Sequence, residues 1–498
     1  MKKTIFALFL AVAAFPAAAQ DFGKLFEDFA REAKEEHTRF RDEADRTFAD
    51  FLNESWTEFR VFAGKEYPRK PKPKTAPVAP SAPVEIPGIQ PVPEPPVIPD
   101  VPDSGNLPET VEEPAPVPGE PQEAGKPQEV EEPVKPGLRA CVFDYYGRAV
   151  RILVPDAISD YRMAGNSEKE VARFWDALSK ADYAPVIGQI EGYASEMRLG
   201  EWALCLLVEN FSKTIFGPQR KDEMEVFRTF VLNQMGIDAR MGLADGRLET
   251  MVSIKEQVYS RLFCEFEGRT YYLDPDVQDV KRFLSYSAKF SDSLSPVSVG
   301  ISMPMHLGGA ENVSLVRKSS NVFGAGLVLP VNSSQCSFYL DYPQADVDVY
   351  ARAAYDDAFV SALCNALRPF VSGKDELSQV NLLLKFLQYD FDYSTDDDQF
   401  GYEKPFFLEE NFIYPANDCE DRSILFSFLV RNVLGLDVVL LDYPDHIATA
   451  VCFNTDVPGD SFLYKGRRFT ICDPTYIGAP AGMAMDDYRD AGFKVLAL

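Results

Sequence analysis

A short phrase occurs twice in this chain, 199 residues apart, and that spacing limits the architecture more than any other feature. Phe230, Val231, Asn233, Gly236 and Asp238 fall on Leu429, Val430, Asn432, Gly435 and Asp437. The same step carries Thr250 onto Thr449, Val252 onto Val451, and Asp274-Pro275 onto Asp473-Pro474. Cys141-Val142-Phe143 and Cys336-Ser337-Phe338 match at a nearby spacing, each opening a half. Several anchors at one spacing predict two copies of one α+β unit. They are expected at 138–330, including a connecting stretch, and at 331–498.

The chain before them is of three kinds. Met1-Lys2-Lys3, an apolar run from Ile5 to Ala14, and Ala17-Ala18-Ala19-Gln20 predict a signal peptide over 1–19. The run is too short to span a bilayer, and small residues suit cleavage, so the mature chain is expected to be exported, periplasmic or cell-surface. Residues 21–64 carry an eleven-residue repeat in which Phe26, His37, Phe48 and Phe59 share one column and Phe29, Phe40, Phe51 and Phe62 another. Eleven residues in three turns keep a stripe on one helical face, which predicts an amphipathic helix. It would dock on the protein's own body, self-associate, or meet an envelope surface. Residues 65–137 hold 21 of the chain's 37 prolines among Glu, Val, Lys and Ala, and predict a disordered, extended linker.

A net charge of −27 argues against nucleic acid as a partner. Eight cysteines in 498 residues are no disulfide framework, even for an exported chain. Cys452 and Cys472 tempt as a pair, but strand parity turns them to opposite faces, so buried free thiols are expected.

The copies differ where chemistry could reside. Cys419 falls on Arg220 and His446 on Arg247, while Asp473 keeps its counterpart Asp274. Leu425, Phe428, Leu429 and Val430 stripe a predicted helix over 421–434 that Gly435 ends. Asp418 is placed to cap it, which puts Cys419 in the first turn, where the helix dipole favours a thiolate. The chain has three histidines, His37, His306 and His446, and only His446 lies downstream of Cys419. His37 sits in a packing column, and His306 reads as a surface or packing residue. His446 opens one predicted strand and Asp473 closes its antiparallel neighbour, which sets them side by side. Histidine would take the thiol proton, and aspartate would orient it.

Cys419, His446 and Asp473, in that order and on those elements, resemble the transglutaminase-like superfamily of papain-type cysteine enzymes. Asp418-Cys419-Glu420-Asp421 is similar to the bacterial transglutaminase-like cysteine peptidases, and Asp473-Pro474-Thr475 to the usual end of the triad strand. The resemblance covers about 380–482 and extends to the first copy only as a degenerate unit. It implies catalysis by Cys419, His446 and Asp473 on a protein or peptide substrate, with no cofactor required. Many relatives carry glycine two before the cysteine, where this chain has Asn417, a residue that tolerates a left-handed turn. For an oxyanion or pocket residue upstream, Gln399 is the candidate, with Tyr414 and Phe412 as pocket walls. Asp418 and Glu420, with Asp421, read either as charges at the helix start or as calcium ligands, which some similar peptidases have. Asp396, Asp397 and Asp398 are expected on a solvated loop. Three functions remain open: hydrolysis through an acyl-enzyme, crosslinking by amine transfer, or binding in a non-catalytic envelope protein.

Overall fold

The computed structural model describes residues 45–54, 56–67, 73–80, 134–287 and 293–498. The expected signal peptide, residues 21–44 of the aromatic repeat and the linker over 81–133 lie outside these residues. The fold is mixed α+β. No helix among the described residues is long and apolar enough to cross a membrane.

The repeat in the sequence returns as a repeat in topology. In the first half, an antiparallel hairpin (Leu138–Tyr145, Arg148–Pro155) is followed by helices that include Glu201–Phe216 and Lys221–Gln234. The sheet after them runs Phe283–Ser285, Ala239–Ala244, Arg247–Ser253, Arg269–Tyr272, Phe263–Phe266 in spatial order. In the second half a hairpin (Val313–Ser320, Ala325–Asn332) precedes helices that include Asp357–Val371, Glu376–Asp390 and Cys419–Leu429. Its sheet runs Lys494–Ala497, Asp437–Asp442, Ile447–Cys452, Arg467–Cys472, Ser461–Tyr464. Every neighbouring pair in both sheets is antiparallel, and the order of entry along the chain is the same. The anchor glycines explain part of the likeness. Gly236 and Gly435 both take left-handed backbone, with φ of 82° and 70°, and turn the chain from helix into the first central strand.

Several expectations need correction. The second unit begins earlier than 331, because the hairpin over 313–332 packs on its helices: Phe323 lies 4.6 Å from Phe370 and 5.1 Å from Phe386. Cys141 and Cys336 are not equivalent, since one lies in a strand and the other in the helix Ser333–Leu340. The aromatic repeat is not one helix to Gly64. Residues 45–52 are helical, and Phe48 and Leu52 bury against the first unit, where Phe48 meets Trp175 edge-on at 4.6 Å. Beyond them Thr57–Phe59 pairs with Phe283–Ser285 as an edge strand, and Phe62 bridges Phe263. An open strand edge offers backbone partners that outweigh the propensity of a short, isolated helical end.

The linker, too, is seated at its start. Tyr67 packs on Tyr259 at 4.9 Å, and Val78 pairs with Ile477 of the second unit as a parallel bridge. Residues 56–67 thus lie against the first sheet, and residues 73–80 against the loop beyond Asp473.

The two units share one apolar core, with Phe338 between Tyr146 of the first unit (5.7 Å) and Tyr342 of the second (6.0 Å). None of the eight cysteines is in a disulfide, and all but Cys336 are buried. Cys452 packs on one face of the second sheet and Cys472 on the other, as parity requires.

Candidate active site

Asp418 caps the helix Cys419–Leu429 from extended backbone, and its N–H donates to Asp421 Oδ2 at 3.2 Å. Asp421 Oδ1 accepts from Phe406 N at 2.8 Å, so the cap also fixes the preceding loop. A single π turn, Val430–Leu434, completes the helix before Gly435. Cys419 is therefore the first helical residue, as expected, and it is 1 % exposed. Its Sγ lies 3.0 Å from Oε2 of Glu420, a contact in which the thiol donates to the carboxylate.

His446 ends a tight turn closed by Tyr443 N donating to His446 O at 2.9 Å. The turn leads into Ile447–Cys452, which pairs with Arg467–Cys472 in the register Thr449 opposite Cys472. That register delivers Asp473 to the imidazole, and Asp473 Oδ2 meets His446 Nε2 at 2.8 Å. Asp473 Oδ1 accepts from the N–H groups of Thr475 (2.9 Å) and Tyr476 (3.3 Å), which orients the carboxylate. Both side chains are nearly sealed, at 4 % and 3 % exposure. The cysteine helix is tied to the histidine strand by Ser423 Oγ, which donates to Ile447 O at 2.9 Å.

Sequence reasoning missed four residues around this centre. Tyr488, on the short helix Asp486–Arg489, stacks on His446 with ring centres 5.0 Å apart. Burial pushes its hydroxyl pKa up, and the charges of Asp445, Cys419 and Asp473 add to the rise. Arg422 is buried, with Nε donating to Asn417 Oδ1 (2.9 Å) and Nη2 to Phe391 O (2.8 Å). Burial lowers its pKa to about 10, against the pull of Tyr393, Asp418, Asp421 and Asp473. Gln388 holds the loop after Asp473, donating to the carbonyls of Asp473 (3.2 Å) and Ala479 (3.0 Å) and accepting from Gly478 N (3.2 Å). Lys404 is buried against Glu410. One signal for Arg422 was in the sequence: it lies three residues after Cys419, on the same side of the helix.

The weaker candidates are placed differently from expectation. Asn417 takes no left-handed turn; it lies in the two-residue strand Ala416–Asn417, paired with Asp392–Tyr393, and its side chain joins Arg422 to Asn411. Gln399 donates to Ala416 O at 3.2 Å, on the chain entering the cysteine helix. Tyr414 packs 5.0 Å from Phe400 and from Phe406, in an aromatic group with Lys404. Phe412 packs between Phe359 and Phe391 as core. His306 is exposed, with its backbone N–H on Met197 O. Asp396 is no solvated loop residue: it is 1 % exposed and accepts from Lys404 N at 2.7 Å.

Asp396 instead joins an acidic cluster beside the thiol. Oxygen atoms of Asp396, Glu403 and Glu420, and of Asp396, Asp418 and Asp421, approach one another within 4.8 Å, and all five residues are buried. Such oxygens suit a hard cation. Asp396 and Asp421, however, already accept backbone N–H groups.

The matching place in the first unit is built otherwise. Asp274 is held by Arg228, about two turns into the helix Lys221–Gln234, with Nη2 to Oδ1 at 3.1 Å. Arg220 donates to Ser159 O and Tyr161 O, and Arg247 is 60 % exposed. A cavity of about 1040 Å³ opens there, lined by Trp202, Glu225 and Asp274 of the first unit and by Asp341, Tyr342 and Tyr402 of the second. The cavity is thus walled by both units, but it lies at the position without a nucleophile. No protein-family model, curated protein or solved structure matches this chain.

Proposed function

We propose that the chain is an exported, transglutaminase-like cysteine hydrolase whose second unit cleaves peptide or isopeptide bonds, the first unit being a degenerate copy. The observation that carries the reading is the 2.8 Å contact of His446 Nε2 with a fixed, buried Asp473, on strands against the helix that begins with Cys419. Asp473 engages Nε2, so proton exchange with the thiol would run through Nδ1. Cys419 gives its proton to His446, and the thiolate adds to the substrate carbonyl carbon. Backbone N–H groups at the helix start receive the oxyanion. The C–N bond then breaks, the amine leaves with the proton from His446, and a thioester remains. Water, deprotonated by His446, releases the acid and restores the thiol. An amine in place of water would make the same site a crosslinking transglutaminase. Cysteine acyl transfer needs no cofactor. Calcium held by Asp418, Glu420 and Asp396 would offset the charge beside the thiol, so chelator sensitivity of the thiol is its readout.

One observation favours a binding protein instead: the thiol is sealed and donates to a carboxylate. Alkylation with iodoacetamide at pH 7, mapped by mass spectrometry, separates the two. Cys419 is expected to react at least tenfold faster than the equally buried Cys472, and His446→Ala to abolish the difference. Equal rates in the unaltered chain would sink the enzyme reading.

A further inference from the structure

The loop that follows Asp473 is held rigidly and pairs with a distant segment of the same chain. Gln388, 3 % exposed, fixes it through three hydrogen bonds, and Asp473 itself accepts from Thr475 and Tyr476. Ile477 lies in this loop, four residues past Asp473. There it meets residues of the chain's own proline-rich segment. Ala79 N donates to Ile477 O at 2.8 Å, and Ile477 N donates to Pro77 O at 2.9 Å. The two bonds bracket Val78, in the manner of a strand added in parallel to a receiving edge.

We infer that the Ile477 edge is the extended-peptide subsite of the enzyme and that Pro77–Ala79 occupies it from within the same chain. The inference rests on the acyl-transfer reading of Cys419, whose substrate it specifies. The segment asks for one N–H only, that of Ala79, and the prolines at 77 and 80 lack only donors that the pairing does not use. Proline at those places lowers the cost of ordering an extended strand. Val78 is 71 % exposed, so its side chain contributes no selective contact. The edge therefore reads main chain, and its ligand class is an extended, unfolded polypeptide segment with a free N–H at the place of Ala79. Ala79 also packs in a small apolar group with Tyr476, Ala479, Met483, Met485 and Tyr488. Tyr488 in turn covers His446. The occupied subsite and the cover over the triad are thus one packed unit, and a substrate strand that displaces residues 77–79 loosens that cover.

The test uses the full chain and a fluorescent peptide with the sequence of residues 73–80. Ala79→Pro removes the N–H that donates to Ile477, in an exposed strap whose loss leaves both cores intact. The labelled peptide should bind this variant in a saturable anisotropy isotherm at least tenfold tighter than it binds the unaltered chain, whose edge is filled. The same peptide carrying proline at the place of Ala79 should not bind. Alkylation of Cys419 should quicken severalfold in the variant. As a second variant, Pro77→Gly with Pro80→Gly keeps both hydrogen bonds but makes the strap costlier to order, and should give intermediate peptide binding. A peptide that binds neither protein, or both alike, overturns the subsite. Binding with an unreactive Cys419 would leave the subsite standing and sink the enzyme reading; a reactive Cys419 without peptide binding would do the reverse.

Discussion

Glu420 sets the condition under which Cys419 can work. Its carboxylate lies 3.0 Å from Sγ and is 2 % exposed, so water does little to screen it. A thiol that donates to a carboxylate is held protonated, and a thiolate there would face a like charge. The helix start opposes this by up to about 2 kcal/mol in a partly buried setting, less than the roughly 4 kcal/mol between unit charges 4 Å apart at an effective dielectric of about 20. The nearer charge wins. Glu420→Gln should therefore move the alkylation profile of Cys419 to lower pH by at least one unit, about 1.4 kcal/mol, and raise the rate at pH 7 about tenfold. A profile left unmoved, measured with iodoacetamide between pH 5 and 9, would refute the argument. At this scale the sequence was partly legible. The place of Cys419 at a helix start and the meeting of His446 with Asp473 were legible because histidine is scarce and strand parity is strict. Tyr488 was not, because it reaches His446 from a four-residue helix whose position depends on folding of the whole C-terminal loop. Asn417 was misread for a related reason: its conformation is set by pairing with Tyr393, not by its own turn propensity.

Helix and strand meet at one hydrogen bond that governs the site's spacing. Ser423 Oγ donates to Ile447 O at 2.9 Å, with both residues buried. The first unit joins its helix to its strand by Thr229 and Thr250, hydroxyl to hydroxyl at 3.0 Å. Ser423→Ala would leave the Ile447 carbonyl without that donor, at a cost of about 1–2 kcal/mol. Because the bond joins the cysteine helix to the residue after His446, the loss should also slow Cys419 alkylation severalfold while far-UV dichroism stays unchanged. A fall in melting temperature with full thiol reactivity would show that the tie stabilises without positioning. Elements were read best where a repeat and a period agreed: both left-handed glycines and both central strand pairs lie at the 199-residue spacing. They were read worst at the aromatic repeat, where a helical period continues past Leu52 although the chain turns into an edge strand. Phe59 and Phe62 keep their aromatic partners there, Phe266 at 4.4 Å and Phe263 at 5.2 Å, but in a sheet. A hydrophobic period records what must be buried, and either element could bury it.

Across the whole molecule, the two halves share one core and do not form two. The apolar cluster that includes Phe48 and Trp175 continues through Phe338 and Tyr350 to Leu425 and Leu496. Polar contacts cross the same seam: Tyr146 donates to Asp341 at 2.6 Å, Val258 bridges Ala345, and Ala354 N donates to Ile301 O at 2.8 Å. The 199-residue spacing foretold two units but not this union, since residues on either side of a seam share no period. A shared core predicts shared unfolding. Cutting at the linker between units would expose Phe338, Tyr342 and Tyr350, all at most partly accessible in the intact chain. Calorimetry of the full chain should therefore show one cooperative transition. Phe338→Ala, at 1 % exposure between two tyrosines, should cost about 3–5 kcal/mol. It should lower that single transition by an amount on the order of 5 °C, with the reactivity of Cys419 and the near-UV signal lost together as temperature rises. Two resolved transitions, with only the second unit's signal shifted by Phe338→Ala, would mean that the units fold apart and that the seam is a contact between domains.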